Sequence, residues 1–265
     1  MASIYTLTLS PSLDSATITP HIYPEGKLRC SAPVFEPGGG GINVARAITF
    51  LGGQATAIFP IGGATGRHLV ELLQTEHVPV ESVDTQEWTR QNLHVHVDAS
   101  GEQYRFVMPG ATLHQDELQK LQDKVTHIPA GSLLVISGSL PPGIESRFYA
   151  EIIELCQQKG CEVILDISHP VLRQLLELRP LLIKPNDDEL REIFGLDVSN
   201  HQQVREAMRT LHQLGARNVL LTMGAEGLYF SDGASVWFCS APKIELVSSA
   251  CAGDAALGAF LSKWL

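Results

Sequence analysis

Residues Ser132 to Phe194, SLLVISGSLPPGIESRFYAEIIELCQQKGCEVILDISHPVLRQLLELRPLLIKPNDDELREIF, decide the fold. Short apolar runs recur in it at Ser132 to Ile136, Glu162 to Asp166 and Leu181 to Ile183. Each is followed by a segment of helical spacing, at Glu145 to Gln158, His169 to Glu177 and Asp187 to Phe194. Strands of this kind, alternating with amphipathic helices, predict an α/β fold with a mostly parallel sheet flanked by helices on both faces. Binding groups in such a sheet belong at the carboxyl ends of its strands.

The pattern continues toward the C-terminus. Ser199 with Gln202 reads as a capping box for a helix that stops at Gly215. Val219 to Thr222, Gly227 to Phe230 and Val236 to Cys239 read as strands, the last two as a hairpin around Asp232-Gly233. Near the end stands Ser248-Ser249-Ala250-Cys251-Ala252-Gly253-Asp254-Ala255-Ala256, small residues around one carboxylate. As a helix start it offers free N–H groups and the positive end of the dipole, with Asp254 as a potential base beside them. A tightly packed small-residue helix with an N-terminal Asp fits the same residues.

Toward the N-terminus the rhythm is interrupted. Ile4 to Leu9 is β-rich and leads into a turn that ends at Asp14, either a binding group on a rigid edge or a turn cap. Thr17 to Tyr23 and Leu28 to Phe35 read as two strands joined by Pro24-Glu25-Gly26-Lys27, and Asn92 to Asp98 pairs with Gln103 to Met108. In the latter pair Leu93, Val95 and Val97 share one face, and Asn92, His94, His96 and Asp98 form a polar one. His94 and His96 fit a metal or, without a third ligand, a solvated strand face. The two pairs together predict a small β-sheet outside the main layer, a lid over a cleft or a dimerisation surface. Between them, Pro37-Gly38-Gly39-Gly40-Gly41 feeds a helix through Asn43, Val44 and Ile48, as a close approach to ligand, a hinge or a flexible turn. A strand at Ala55 to Phe59 and a helix at Arg67 to Thr75 follow.

The chain has 265 residues and is 44% apolar, enough to bury a full core. Its net charge of −10 argues against nucleic acid or an anionic membrane as partner. No stretch approaches a membrane span, and MASIYTLTLS lacks the plan of a signal peptide, so a cytoplasmic location is expected. Five cysteines without metal-ligand spacing predict free thiols.

Three loops after the strands carry polar groups. Ser137-Gly138-Ser139-Leu140-Pro141-Pro142-Gly143 suits a polyol or an ordinary turn. Lys184-Pro185-Asn186-Asp187-Asp188-Glu189 puts Asn186 and Glu189 on one helical turn, as ligands of a hydrated magnesium ion or as a capping box. Thr222-Met223-Gly224-Ala225-Glu226-Gly227 can present N–H groups to phosphate.

The ordered set of glycine run with Asn43, NxxE, TxGxxG and AGD resembles the ribokinase-like (PfkB) carbohydrate kinase family, most closely its bacterial ATP-dependent 6-phosphofructokinase branch of the minor type. The segments IYTLTLSPSLDSATITP, IYPEGKLRC, PVFEPGGGGINVARAI, GGATG, WTRQNLHVHVDASGEQYRFVMPGA and VISGSLPPG carry the likeness. The resemblance implies a single three-layer ribokinase-like domain over 1–265, with lid strands from about 15–35 and 90–109. It also implies phosphorylation of fructose 6-phosphate to the 1,6-bisphosphate by ATP and Mg2+, with K+ as a candidate further ion and a homodimer formed through the β lid.

Residue by residue, the resemblance makes Asp254 the base, with Ala252 and Gly253 supplying N–H groups to the transferred phosphoryl. Asp14, Gly38, Gly39, Asn43 and Ser139 match sugar contacts. Arg90, Lys27 and Arg29 match cations near the sugar's existing phosphate. Lys184, Asn186, Thr222, Gly224 and Gly227 match nucleotide contacts, and Asn186 with Glu189 the magnesium pair. Independently, three cations near a cleft of an acidic protein suit an anionic ligand or are solvated surface charges.

Two departures stand out. Cys251 replaces the first glycine of the family's Gly-Ala-Gly-Asp, and the family pattern runs some tens of residues past the AGD helix, so the chain reads as C-terminally shortened. The alternatives are tagatose-6-phosphate or 1-phosphofructokinase activity, and a homologue that binds sugar phosphate with little turnover.

Overall fold

The computed structural model describes residues 3–244 and 251–264. The N-terminal half contains β1 (Ile4–Leu7), β2 (Ser12–Thr19), β3 (Val34–Gly38), α1 (Gly40–Phe50), β4 (Ala55–Ile61), α2 (Gly63–Thr75), β5 (Val80–Asp84), β6 (Arg90–Val97), β7 (Gln103–Phe106) and α3 (Gln115–Thr126). The regular half follows as β8 (Leu133–Ser137), α4 (Ser146–Gln158), β9 (Glu162–Asp166), α5 (Val171–Leu175), β10 (Leu182–Ile183), α6 (Asp187–Glu189), α7 (His201–Leu214), β11 (Val219–Thr222), β12 (Gly227–Ser231), β13 (Val236–Ser240) and α8 (Ala252–Trp264).

Nine strands form one sheet in the order β13-β12-β11-β10-β9-β8-β1-β4-β5, parallel except for the β11-β12-β13 end. The central strands, such as β8 and β9, are buried on both faces, which is why they read as unbroken apolar runs, whereas β13 at the edge is largely exposed. Leu134, Ile136, Val163, Leu165, Val219 and Leu221 pack on the side that α4, α5 and α7 cover. Their neighbours Leu133, Val135, Ile164 and Leu220 pack on the other side with Ile42, Val44 and Ile48 of α1 and Leu257 and Leu261 of α8. The strand order reverses direction at β1, between β8 and β4, and the carboxyl ends there border the crevice where open α/β sheets bind ligands.

The second sheet has the order β3-β2-β6-β7, with β2 and β6 parallel and the outer pairs antiparallel. It corrects the expected hairpin of Thr17 to Tyr23 with Leu28 to Phe35. The strands are Ser12–Thr19 and Val34–Gly38, joined by a long exposed connection through Lys27 and Arg29. β6 and β7 fall where expected, but its polar face is not uniformly wet, because Asn92 is buried and Leu93 is exposed. Asn200, not Ser199, caps α7: its side chain accepts from the N–H groups of Gln202 and Gln203, while Ser199 Oγ donates to Asp197. The segment expected as a helix from His169 shortens to α5 and a 3-10 turn through Leu178. Asp187 to Phe194 forms one α turn followed by a π turn. β5 and α3 are elements for which the sequence pattern gave no separate expectation.

Candidate active site

The site is organised by the seating of α8 on α1. A Cβ placed at Gly258 would lie 2.7 Å from Ala47 Cβ and 3.0 Å from the Val44 carbonyl oxygen, so only glycine lets the two helices approach this closely. Asp254 lies one turn earlier on the same face. It thereby meets α1, where Asn43 Nδ2 donates to Asp254 Oδ2 at 2.9 Å. Within α8 the Ala255 N–H bonds the Cys251 carbonyl at 2.9 Å, and among the described residues no backbone acceptor takes the N–H groups of Ala252, Gly253 and Asp254. Ser248, Ser249 and Ala250 of this stretch lie outside the described residues.

Buried charges from three strand ends and a helix converge on this point. Lys184, just past β10, places Nζ 2.9 Å from Asp166 Oδ1 at the end of β9, with both side chains buried. Ser137 Oγ, at the end of β8, donates to the other Asp166 oxygen at 3.1 Å. A Cβ on Gly253 would stand 3.2 Å from Lys184 Nζ, so the ammonium lies against the start of α8. Burial would lower the lysine, but Asp166, then Glu189 and Asp254, outweigh it and hold it above its ordinary value. Burial and then the Asp166 charge push Asp254 up to about 6, against the pull of Asn43 and Lys184, while Glu189 adds to the rise. Burial also raises Glu189. Asp166 escaped the sequence reading, although it closes one of the expected strands, which is where binding groups collect.

The NxxE segment forms the capping box. Glu189 N–H donates to Asn186 Oδ1 at 2.8 Å, and Asn186 N–H donates to Glu189 Oε2 at 2.9 Å. It adjoins the TxGxxG loop, since Thr222 N–H donates to the Pro185 carbonyl at 3.1 Å and Asn186 bridges to Thr222. Gly227 sits at φ 129°, and a Cβ there would fall 2.1 Å from the Cys239 carbonyl. Gly224 opens the short turn between them.

Among the described residues no group of three or more His, Cys, Asp or Glu side chains is placed to hold a metal ion. Buried Asp166 and half-buried Glu189 nonetheless fit Mg2+, which takes few protein carboxylates and completes its shell with water and phosphate. Asp166, Glu189 and Asp254 set three carboxylates against the one ammonium of Lys184. Capping engages one Glu189 oxygen, Oε2.

At the end of the cleft beside the second sheet, the glycine run forms the start of α1. Gly39 adopts φ 121° as N-cap of α1, and a Cβ on Gly38 would fall 2.5 Å from Asp14 Oδ2. The missing side chain lets Asp14 lie over the run, fixed by Asn92 Nδ2 at 2.8 Å. Arg90 Nη1 donates to the Met108 carbonyl at 2.9 Å, and Nη2 to the Ser10 carbonyl at 3.0 Å and Ser139 Oγ at 3.4 Å. Its Nε is buried without a partner among the described residues. Burial lowers Arg90 from its ordinary value, with the Asp14 charge opposing. Lys27 and Arg29 are exposed in the β2–β3 connection, and among the described residues no hydrogen bond or ion pair joins them to Arg90 or Asp14. His96 stands 3.9 Å from Asp98, and His94 and His96 are both half-buried.

Cys251 sits at φ 60°, in the left-handed region that favours glycine. The backbone at this departure therefore takes a glycine-like conformation and bears strain of about 1 kcal/mol or more. Although Cys251 is exposed, crowding by neighbouring atoms and then the Asp254 charge raise its thiol, so it is neutral at pH 7, and Asn43 Nδ2 donates to Sγ at 3.2 Å. All five cysteines are free thiols.

The sequence model of the pfkB family of carbohydrate kinases matches residues 7–265. D-tagatose-1-phosphate kinase of Klebsiella oxytoca is 59% identical over 262 residues, covering 99% of this chain and 86% of that protein. ATP-dependent 6-phosphofructokinase isozyme 2 of Escherichia coli (strain K12) is 52% identical over 265 residues, covering 99% and 86%. The crystal structure of phosphofructokinase-2 from E. coli in complex with substrates and products superposes with a TM-score of 0.95 at 52% identity, over 99% of this chain and 86% of that one.

Proposed function

The chain belongs to the pfkB family of carbohydrate kinases and is a sugar-phosphate kinase, and from that premise we propose that it moves the γ-phosphoryl group of ATP to the free primary hydroxyl of a ketohexose monophosphate. Fructose 6-phosphate, giving fructose 1,6-bisphosphate, is the leading substrate. The observation that carries the reading is the half-buried Asp254 carboxylate, bonded to Asn43, at the N-terminus of α8. With its carboxyl raised to about 6, Asp254 is ionised at neutral pH yet more basic than a free carboxylate. It takes the proton of the sugar hydroxyl as that oxygen bonds to the γ-phosphorus and the bond to the β-phosphate oxygen breaks, releasing ADP. The N–H groups of Ala252 and Gly253, at the positive end of the helix dipole, offset the charge on the transferring group.

Asp14, Gly38, Gly39, Asn43 and Ser139 hold the sugar hydroxyls, and Arg90, with Lys27 and Arg29, the sugar's existing phosphate. Lys184, Asn186, Thr222, Gly224 and Gly227 hold the nucleotide. Asn186 and Glu189, with Asp166 beside them, would hold Mg2+, which would supply charge neutralisation to the nucleotide phosphates. K+ belongs to the same proposal as a second ion. Two copies pair through the lid sheet, whose surroundings expose Ile18, Tyr23, Val34, Phe106 and Val107. No helix among the described residues is long and apolar enough to cross a membrane.

The 59% identity to a D-tagatose-1-phosphate kinase favours a second reading, with that sugar phosphate as acceptor. An ADP-release assay with fructose 6-phosphate, D-tagatose 1-phosphate, tagatose 6-phosphate and fructose 1-phosphate ranks the acceptors by kcat/KM. Turnover lost in Asp254→Asn supports the reading. Binding of every sugar phosphate without turnover in the unaltered chain sinks it.

A further inference from the structure

Arg46 lies three residues beyond Asn43 on α1, a spacing that puts both side chains on neighbouring positions of one helix face. Its Nε and Nη2 donate to the two carboxylate oxygens of Glu76 at 2.6 and 2.7 Å, a bidentate clamp at the end of α2. The remaining nitrogen, Nη1, donates to Asn43 Oδ1 and to the Pro37 carbonyl, each at 3.3 Å. A guanidinium carries donors only, so it accepts the Asn43 amide in one orientation, oxygen toward Arg46 and nitrogen away. That nitrogen is the group that reaches Asp254 Oδ2 and Cys251 Sγ.

We propose that Arg46, clamped by Glu76, is a positioning residue for the catalytic base: it fixes the Asn43 amide so that a donor, and not an acceptor, faces Asp254. The inference rests on the reading of Asp254 as the base. Turned the other way, the amide would offer its oxygen to the carboxylate, repel the charged form and favour the protonated one. The remaining groups around Asp254 make this donor consequential. Asp166 on β9 and Glu189 on α6 oppose its ionisation, Lys184 after β10 supports it, and Cys251 on its own segment is neutral. Asp14 and Glu36, on the lid, add negative charge on the Cys251 side, and Arg46 itself a positive one. Arg46 and Glu76 are partly exposed, at 26% and 36%, so the relay has its strength from bidentate geometry rather than from burial.

The test is the pH dependence of kcat/KM for the sugar phosphate in the whole chain, for Arg46→Met, Asn43→Ala and the double variant. Arg46→Met is expected to move the acid limb up by about half to one pH unit, and so to lower kcat/KM by up to about two-fold at pH 7 and by roughly three- to ten-fold at pH 5, with the KM for ATP within about two-fold. Asn43→Ala shifts the limb in the same direction, and Arg46→Met adds nothing further on that background. An unmoved limb in Arg46→Met, or effects that multiply with those of Asn43→Ala, overturns the relay. If Arg46→Met folds poorly, Glu76→Gln keeps the arginine and breaks the symmetric clamp. A smaller upward shift there supports the relay, and an unmoved limb overturns it. Asp254→Asn in the same buffers separates the two ideas. Turnover retained there removes the base itself, whereas turnover lost there with no shift in Arg46→Met removes only the relay.

Discussion

The two ends of the cleft are built on different principles. At the inner end Asp166, Lys184 and Ser137 lie buried and bonded to one another at strand termini, and Asp254, half-buried at the start of α8, is bonded to Asn43. At the lid end only Arg90 is held by three acceptors, while Lys27 and Arg29 extend from an exposed connection. Groups that act on a forming bond gain from fixed dipoles in a water-poor site, because no reorganisation is then needed during reaction. Groups that attract a charged ligand act at longer range and tolerate mobility. The difference implies that chemistry is concentrated at the inner end and capture at the lid end, so substitutions should separate into effects on kcat and effects on sugar-phosphate KM.

The largest effect expected is that of Asp254→Asn, which removes the proton acceptor and keeps the shape. Its kcat should fall by roughly 10²- to 10⁴-fold, the usual range for a positioned base. If Asp254 acts as the proposed base, it must be ionised, so the rate should decline as pH falls through about 6 and level off above it. A rate indifferent to pH between 5 and 8 would remove the raised carboxyl from the mechanism.

Lys184→Met tests how tightly the inner end is sealed. It leaves Asp166 buried without its ion-pair partner, a change that costs about 3–5 kcal/mol in comparable sites. Urea unfolding at pH 7 should show that loss, and adding Asp166→Asn should recover much of it, since neutralising both partners removes the orphaned charge. A loss below about 1 kcal/mol would mean that water reaches Asp166 freely.

Arg90→Ala moves the test to the better-ordered part of the lid end. It should raise the KM for the sugar phosphate by roughly 10- to 100-fold, the worth of hydrogen bonds to a charged group, and leave the KM for ATP within about two-fold. Equal changes in both constants would erase the proposed division between the ends.

The legibility of the two ends differs for the same reason. The parallel sheet was readable because strands buried on both faces leave apolar runs such as Leu133–Ser137, and the loops after them carried Ser139, Lys184, Asn186 and Thr222 in view. Asp254 was visible from the small residues around it. What pairing decides over long range was not visible. Asp166 and Lys184 are separated in the chain and meet only through the β9–β10 register, and Asn43 meets Asp254 only because Gly258 lets α8 seat on α1. The lid strands were misplaced because Leu28 to Phe35 has strand composition, whereas the β2 register is set instead by Val34–Gly38 and by parallel pairing with β6.

The smallest effect should come from Lys27 and Arg29, and it discriminates most finely between a formed and a capturing site. Exposed charges contribute typically about 0.5 kcal/mol each and are screened within about 10 Å at 0.1 M salt. Lys27→Ala with Arg29→Ala should therefore raise the sugar-phosphate KM by no more than roughly five-fold at low ionic strength, with kcat unchanged, and the difference from the unaltered chain should fade as salt is raised. If instead the loss is as large as that of Arg90→Ala and persists in high salt, the connection must close over the bound phosphate and bury both cations. The lid end would then be assembled by its ligand, and the contrast with the preformed inner end would become one of timing rather than of strength.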